Sequence, residues 1–497
     1  MDNYEEIKTY NDAELVNLVL LAQELRKRLD LVGLRPGRWD GPGAVATALM
    51  KRERVSDALS RQNSVACPDG AADAARTAYA GGRFEVVRFG SVNRPGYEYD
   101  RNSAYPHALQ HVPCLAHGHW IHHPIGTGIC EGDFSVYHLR YRGPQGSRPG
   151  PLFLRMGDGT INYPGDVDGW YWKPETEAAQ DYVKNVEKRA KLEILESWEW
   201  IPEPQDCPNP YPFDFIPGLY RKRQALKRAG DGAHVGIKLA LNSLYGKLAQ
   251  QVGWKRTVDG ELRIPPYHEL AWAGYTTSHC RAAMLRAAML DIDAVIAFET
   301  DAIFTSKPLD LPLGAGLGEW SLTEFDSLTY VQSGVYFGEL TGQACTCDTD
   351  TRRRCKRHHE RTRGANLGSV HQEDFALAML EPLALERSVN TEILTFHGAG
   401  RALAGSWDKW CTWEMRPRQI TAEPPENSKR NHLGGCSKCW EGLGGSIRPD
   451  VWHTTTCPAF AQGVKSMPYP IAWINPDEHY RIQVALADAE NAGDENE

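Results

Sequence analysis

No stretch of this 497-residue chain approaches the roughly 20 consecutive apolar residues that a bilayer-spanning helix needs. The start, Met1-Asp2-Asn3-Tyr4-Glu5-Glu6, is acidic, whereas a secretory leader is basic and then apolar. The expectation is a cytoplasmic protein with no membrane partner, in which the 12 cysteines do not form a disulfide framework. An excess of positive charge is also missing: 55 Lys and Arg face 64 Asp and Glu, a net charge of -9. A polyanionic partner must then be gripped by local patches, since phosphate contacts come from Lys and Arg. Such patches lie at Arg221 to Arg228 and Arg352 to Arg363, while Asp488, Glu490, Asp494, Glu495 and Glu497 load the tail with negative charge. No internal repeat is present. A hydrophobic fraction of 41% over this length allows a sizeable core and about two to four domains.

What the chain does have is four short, widely separated segments of mixed polar and aromatic character. They are Tyr79-Ala80-Gly81-Gly82, Asp100-Arg101-Asn102-Ser103-Ala104-Tyr105-Pro106, Lys238-Leu239-Ala240-Leu241-Asn242-Ser243-Leu244-Tyr245-Gly246 and Phe298-Glu299-Thr300-Asp301. Asp100 follows the alternating Phe84 to Phe89 and the short Tyr97-Glu98-Tyr99, which places it at the end of a strand. Asp301 sits between the apolar runs Ala294 to Phe298 and Ala302 to Thr305, which predicts a β-hairpin with carboxylates at its tip. A sheet that joins the two aspartates makes a hard oxygen site suited to Mg²⁺. Two such cations about 3.5–4 Å apart stabilise the attacking and leaving oxygens of an in-line displacement at phosphorus. The plainer reading is a pair of solvated turn aspartates.

The third segment predicts a helix. Ile237, Leu241, Leu244 and Leu248 recur at helical spacing, and Lys238, Asn242 and Tyr245 align on an adjacent face. Lys238 is placed to neutralise triphosphate charge, and Tyr245 offers a flat surface beside a base pair. Arg221-Lys222-Arg223 and Lys227-Arg228 add positive charge just upstream, although a charge run is usually only a solvated face.

The order and spacing of these segments resemble the family B DNA polymerases, particularly the protein-primed branch of phages and linear plasmids, over roughly Tyr79 to Tyr336. There they are the YxGG/A element, motif A (DxxSLYP), motif B (KxxxNSxYG) and motif C (YxDTDS). The resemblance implies a DNA-directed DNA polymerase with Asp100 and Asp301 as catalytic ligands of two Mg²⁺. It implies Ser103, Tyr105, Arg223, Lys227, Lys238 and Asn242 toward the nucleotide, and Tyr79, Gly81, Gly82, Tyr245, Gly246 and Tyr336 toward DNA. Tyr105 is expected beneath the sugar of the incoming deoxynucleoside triphosphate, where it blocks a 2′-hydroxyl; core packing is its other reading. Primer-template DNA and deoxynucleoside triphosphates are the implied partners, inside a bacterial host cell. Between Pro106 and Lys238 lies a long, irregular region rich in Pro and Gly. Relatives carry there an insertion that contacts the terminal protein, which makes such a protein a candidate partner.

The chain departs from the family pattern in places. Ala297, Glu299 and Ala302 stand where Tyr, Asp and Ser are usual in motif C. Gly334 replaces the lysine of a Lys-x-Tyr element that contacts the primer strand, while its tyrosine matches Tyr336. Family members usually carry a proofreading exonuclease ahead of the YxGG/A element. The 78 residues before Tyr79 are too few for it, and no proofreading is expected. Asp12 to Leu21 reads instead as an amphipathic helix that packs through Leu15, Leu18 and Val19. Asp259-Gly260 signals a short hairpin, and Thr276 to Leu290 a helix leading into motif C.

Cysteine spacing suggests zinc. His432-x3-Cys436-x2-Cys439-x13-His453-x3-Cys457 has ligand spacing with a Cys-x2-Cys knuckle. Cys345-x-Cys347-x7-Cys355-x2-His358 is a looser candidate in a basic segment, and the two clusters could share one ion. Cys67, Cys114, Cys130, Cys207, Cys280 and Cys411 show no ligand spacing and read as ordinary thiols.

The fold class expected is α+β, a right-hand polymerase with an antiparallel palm sheet. Its parts would be an N-terminal helical segment (1–78), palm with an insertion (79–215), fingers (216–250), palm again (251–335) and a zinc-stapled, thumb-like region (336–497). Two other functions fit the same residues: primer- or template-independent nucleotide addition, and a degenerate polymerase fold that binds nucleic acid.

Overall fold

The computed structural model describes most of residues 4–362 and, beyond residue 362, four strands between residues 388 and 468. Its centre is an antiparallel sheet in which the strand Gly96–Arg101 lies between Ala302–Thr305 and Trp320–Gln332. Val295–Thr300 pairs with Ala302–Thr305 on one side and with Arg83–Val86 on the other. Val295 to Phe298 and Ala302 to Thr305 are fully buried, as expected of apolar runs in the middle of a sheet covered on both faces. The pairing continues beyond residue 336, through Val335–Leu340 to His358–Thr362.

Against this sheet lies the helix Leu270–Leu290, which starts six residues before the predicted Thr276. Glu269 caps it by accepting the Ala271 amide at 3.2 Å. About half of its residues are Ala, Gly, Ser or Thr, and other elements approach it from several sides. Among its neighbours are the helices Lys173–Asn185, Ala104–Leu109 and Asp69–Thr77.

The region between Pro106 and Lys238 is not irregular. It holds a four-stranded antiparallel sheet, ordered Gly118–His123, Lys191–Pro202, Ser135–Arg142, Asp166–Trp172. The strands are rich in aromatic residues, and Tyr137, Leu139, Trp172 and Trp200 are buried. The Pro and Gly residues that suggested irregularity fall largely between these strands.

Residues 216–250 are helical: Ile216–Arg228, Ala233–Asn242 and Leu244–Leu248. The single helix predicted around Lys238 is interrupted at Ser243, yet Ile237, Leu241, Leu244 and Leu248 are all buried as the spacing requires. The N-terminal helix Tyr4–Leu31 reverses its expectation. Leu15, Leu18 and Val19 are exposed (58%, 54% and 53%), and it is Leu29 that enters the core. Leu29 approaches Gly236 so closely that a β-carbon there would meet its Cδ2 at 2.8 Å. The helix is therefore anchored by its last turns. The hairpin predicted at Asp259-Gly260 has strands Lys255–Arg256 and Leu262–Arg263.

Candidate active site

Asp100 is the penultimate residue of the strand Gly96–Arg101, and its Cα partner across the ladder is Ala302. Asp301 therefore stands beside it, in the Thr300-Asp301 turn that joins Glu299 to Ala302. The turn is held by the Arg101 amide, which donates to the Asp301 carbonyl at 2.8 Å, and by the Thr300 hydroxyl, which donates to Asp301 Oδ1 at 2.8 Å. Thr300 has φ 58°, a left-handed conformation that a β-branched residue rarely adopts. Ser103, with φ 50°, turns the chain from the Asp100 strand into the helix Ala104–Leu109. Asn102 fixes that turn through its side-chain amide, which donates to the Gly314 carbonyl at 2.9 Å.

The other segments close around this pair. Tyr105 stacks on Tyr245, with ring centroids 4.2 Å apart and an interplanar angle of 16°. A β-carbon on Gly82 would lie 2.5 Å from the Tyr105 hydroxyl and 2.7 Å from Thr300 Cγ2. Only glycine lets that backbone approach so closely. Arg223 donates to the Ser103 hydroxyl at 3.2 Å. Lys238 and Asn242 are exposed, on the side of their helix away from its buried stripe. Lys227, Gly81 and Gly246 are exposed, and Tyr79 and Tyr245 are half-buried. Tyr336 is different. It is 4% exposed, stacked on Tyr330 and bonded to His359 at 3.3 Å, so it lies within the sheet rather than on a surface open to DNA.

The electrostatics of the site resist negative charge. Asp100 is exposed, yet the surrounding protein desolvates it, and with Asp301 beside it the carboxyl is pushed up to about 6 while Lys238 acts the other way. Burial also raises Asp301, against the Thr300 hydrogen bond. Glu98, two residues before Asp100 on the same strand face, is pushed up to about 7 by burial and then by Asp100. Clustered carboxylates that ionise reluctantly are the setting in which a divalent cation is most favoured. The oxygen donors of Asp100 and Asp301 fit Mg²⁺.

Two contributors escaped the sequence reading. Glu98 could have been found from its i, i+2 relation to Asp100. Arg281, 2% exposed, pairs with Glu175 and donates to the Ala80 and Gly81 carbonyls, the latter at 2.7 Å. It ties the Tyr79 to Gly82 segment to the central helix. Its signal was that it is one of two arginines in an otherwise largely apolar helix.

Of the looser cysteine cluster, Cys345, Cys355 and His358 come together, with Cys345 Sγ 3.6 Å from His358 Nε2. Cys347 lies outside the described residues. So do Cys436, Cys439, His453, Cys457 and Cys411, while His432 is placed only as the end of the strand Arg430–His432.

No family model matches the chain, and no curated protein does. Solved structures do. The φ29 DNA polymerase complexed with primer-template DNA, a post-translocation binary complex, aligns with TM-score 0.51 and 16% identity, over 80% of this chain and 70% of that one. What is shared is the fold. The same polymerase complexed with primer-template DNA and incoming nucleotide substrates aligns with TM-score 0.49 and 16% identity, over 77% and 67% of the two chains. A family B DNA polymerase from the archaeon Pyrobaculum calidifontis reaches TM-score 0.25 and 14% identity, over 56% and 30%.

Proposed function

We propose that the chain is a DNA-directed DNA polymerase of the protein-primed family B type, adding deoxynucleotides by a two-metal mechanism. The observation that carries this reading is the convergence of four distant segments. Asp100 and Asp301 are adjacent, and Tyr105, held between Gly82 and Tyr245, lies in the same cluster as the Ser103–Arg223 contact. A pair of merely solvated turn aspartates gives no reason for the other contacts.

In this reading Asp100 and Asp301 would hold two Mg²⁺, which when bound would supply charge neutralisation at the reacting phosphate and activation of the 3′-hydroxyl. Lys238, Lys227 and Arg223 bind the triphosphate, with Ser103 and Asn242 beside it. Tyr105 lies beneath the sugar and selects deoxynucleotides. Tyr79, Gly81, Gly82, Tyr245 and Gly246 line the path of the template and primer. The sheet bearing the two aspartates is the palm, residues 216–250 are the fingers, and the region from 336 onward is thumb-like and zinc-stapled. A terminal protein as priming partner belongs to the same proposal.

A second reading keeps the chemistry and removes the dependence on a primer or template. It is favoured by Gly334, whose backbone amide is engaged by Glu299 where relatives present a lysine to the primer. Incorporation measured with and without template separates the two: product that matches the template supports the first, and untemplated product the second.

A further inference from the structure

Cys114, His117 and Cys207 are far apart in sequence, yet their ligand atoms all lie within 4.8 Å of one another. We propose that they form a zinc site. Cys114 Sγ is 3.6 Å from His117 Nδ1. Zinc holds thiolate sulfur at about 2.3 Å and imidazole nitrogen at about 2.0–2.1 Å, so a tetrahedral ion sets that edge at about 3.6 Å. Cys-x2-His is also a knuckle spacing, supplying two ligands from one turn of chain.

The backbone presents the three side chains together. The Cys114 amide donates to the Pro210 carbonyl at 2.8 Å, and the Glu203 amide donates to the His117 carbonyl at 3.0 Å. The Cys207 amide closes its own turn on the Pro204 carbonyl at 3.1 Å. Two loops are thus clamped to each other at both ends of the cluster. Cys114 is buried, while His117 and Cys207 are half-buried. A neighbouring triad, His123, Cys130 and Glu199, lacks this character. Glu199 there already accepts from His123 at 2.8 Å and from the Gly132 amide at 2.6 Å.

The location gives the ion a task. One loop leaves the helix Ala104–Leu109, which carries Tyr105. The other leads into Ile216–Arg228, which carries Arg223. A staple between them fixes the relation that the Arg223–Ser103 contact depends on. Because a metal ligated by the folded chain contributes to its stability, this one holds the two elements in register. The assignment does not depend on the polymerase reading.

Metal analysis of the full chain, purified with a reducing agent and without chelator, tests it. Cys207→Ser and His117→Ala are each expected to carry one zinc ion fewer than the parent, and Cys67→Ser, at an exposed thiol, the same number. Unchanged zinc in the first two variants overturns the site. If either variant fails to fold, the parent serves instead: alkylation of Cys207, read by peptide mass spectrometry, is expected to accelerate at least tenfold when a zinc chelator is added. Equal rates before and after chelation, or a Cys114–Cys207 disulfide in protein kept reduced, also overturn it.

Discussion

The Gly334 amide donates a hydrogen bond to Glu299 Oε1, the same oxygen that accepts from the Tyr330 hydroxyl. These are two of the positions at which the chain departs from the family B pattern, and the bond makes them one structural unit. Gly334 lies in the two-residue turn between Gln332 and Val335, with φ 72°. A lysine there would be strained, so the missing lysine follows from the turn. The longer Glu299 side chain reaches that turn from the neighbouring hairpin.

Restoring the usual aspartate should therefore harm this protein. Glu299→Asp shortens the side chain by one methylene and leaves the fully buried Tyr330 hydroxyl without its partner. The expected cost is about 1–3 kcal/mol of stability, measurable by denaturant unfolding. A variant as stable as the parent would show that the contact contributes nothing.

Tyr105 and Gly82 should act together on sugar selection. Tyr105→Ala opens space beneath the sugar and should raise ribonucleotide incorporation relative to deoxynucleotide by at least tenfold. Gly82→Ala pushes a methyl group into the Tyr105 hydroxyl and Thr300 and should lower incorporation of both. An unchanged sugar preference in Tyr105→Ala removes that residue from the gate.

The sequence disclosed the hairpin at Asp301 and the strand end at Asp100 because apolar runs around a polar tip are unambiguous. It also disclosed the buried stripe of Ile237, Leu241, Leu244 and Leu248, although not the interruption at Ser243, where no Gly or Pro marks the bend. The sheet between residues 118 and 202 was hidden by Pro and Gly in its connections. Leu15, Leu18 and Val19 misled because periodicity shows that a face is apolar, not that anything covers it. The Cys114-x2-His117 spacing was local and was passed over, and its third partner Cys207 lies too far along the chain for ligand-spacing rules to reach.

Activity at limiting Mg²⁺ should depend on pH through Asp100. Its carboxyl, pushed up to about 6, keeps its proton below that value and competes with the cation, so incorporation should rise as pH climbs through about 6. Additional Mg²⁺ should shift the rise to lower pH. In metal-free protein the sign for stability is opposite. The native carboxyl titrates above its ordinary 3.8, so the folded state binds more protons in that window and loses stability as pH rises from about 4 to 6. An activity profile indifferent to Mg²⁺ concentration would contradict the first statement, and metal-free protein whose stability does not fall over that window would contradict the second.

The central claim is that Asp100 and Asp301 form the catalytic metal pair of a DNA polymerase. Primer extension on a primed DNA template with Mg²⁺ tests it most directly, comparing the parent with Asp301→Asn. The parent should extend the primer according to the template. Asp301→Asn should fold normally, as judged by circular dichroism, and lose at least a thousandfold in rate, because a ligand is gone where charge accumulates in the transition state. No extension by the parent, or near-normal extension by the variant, would contradict the account.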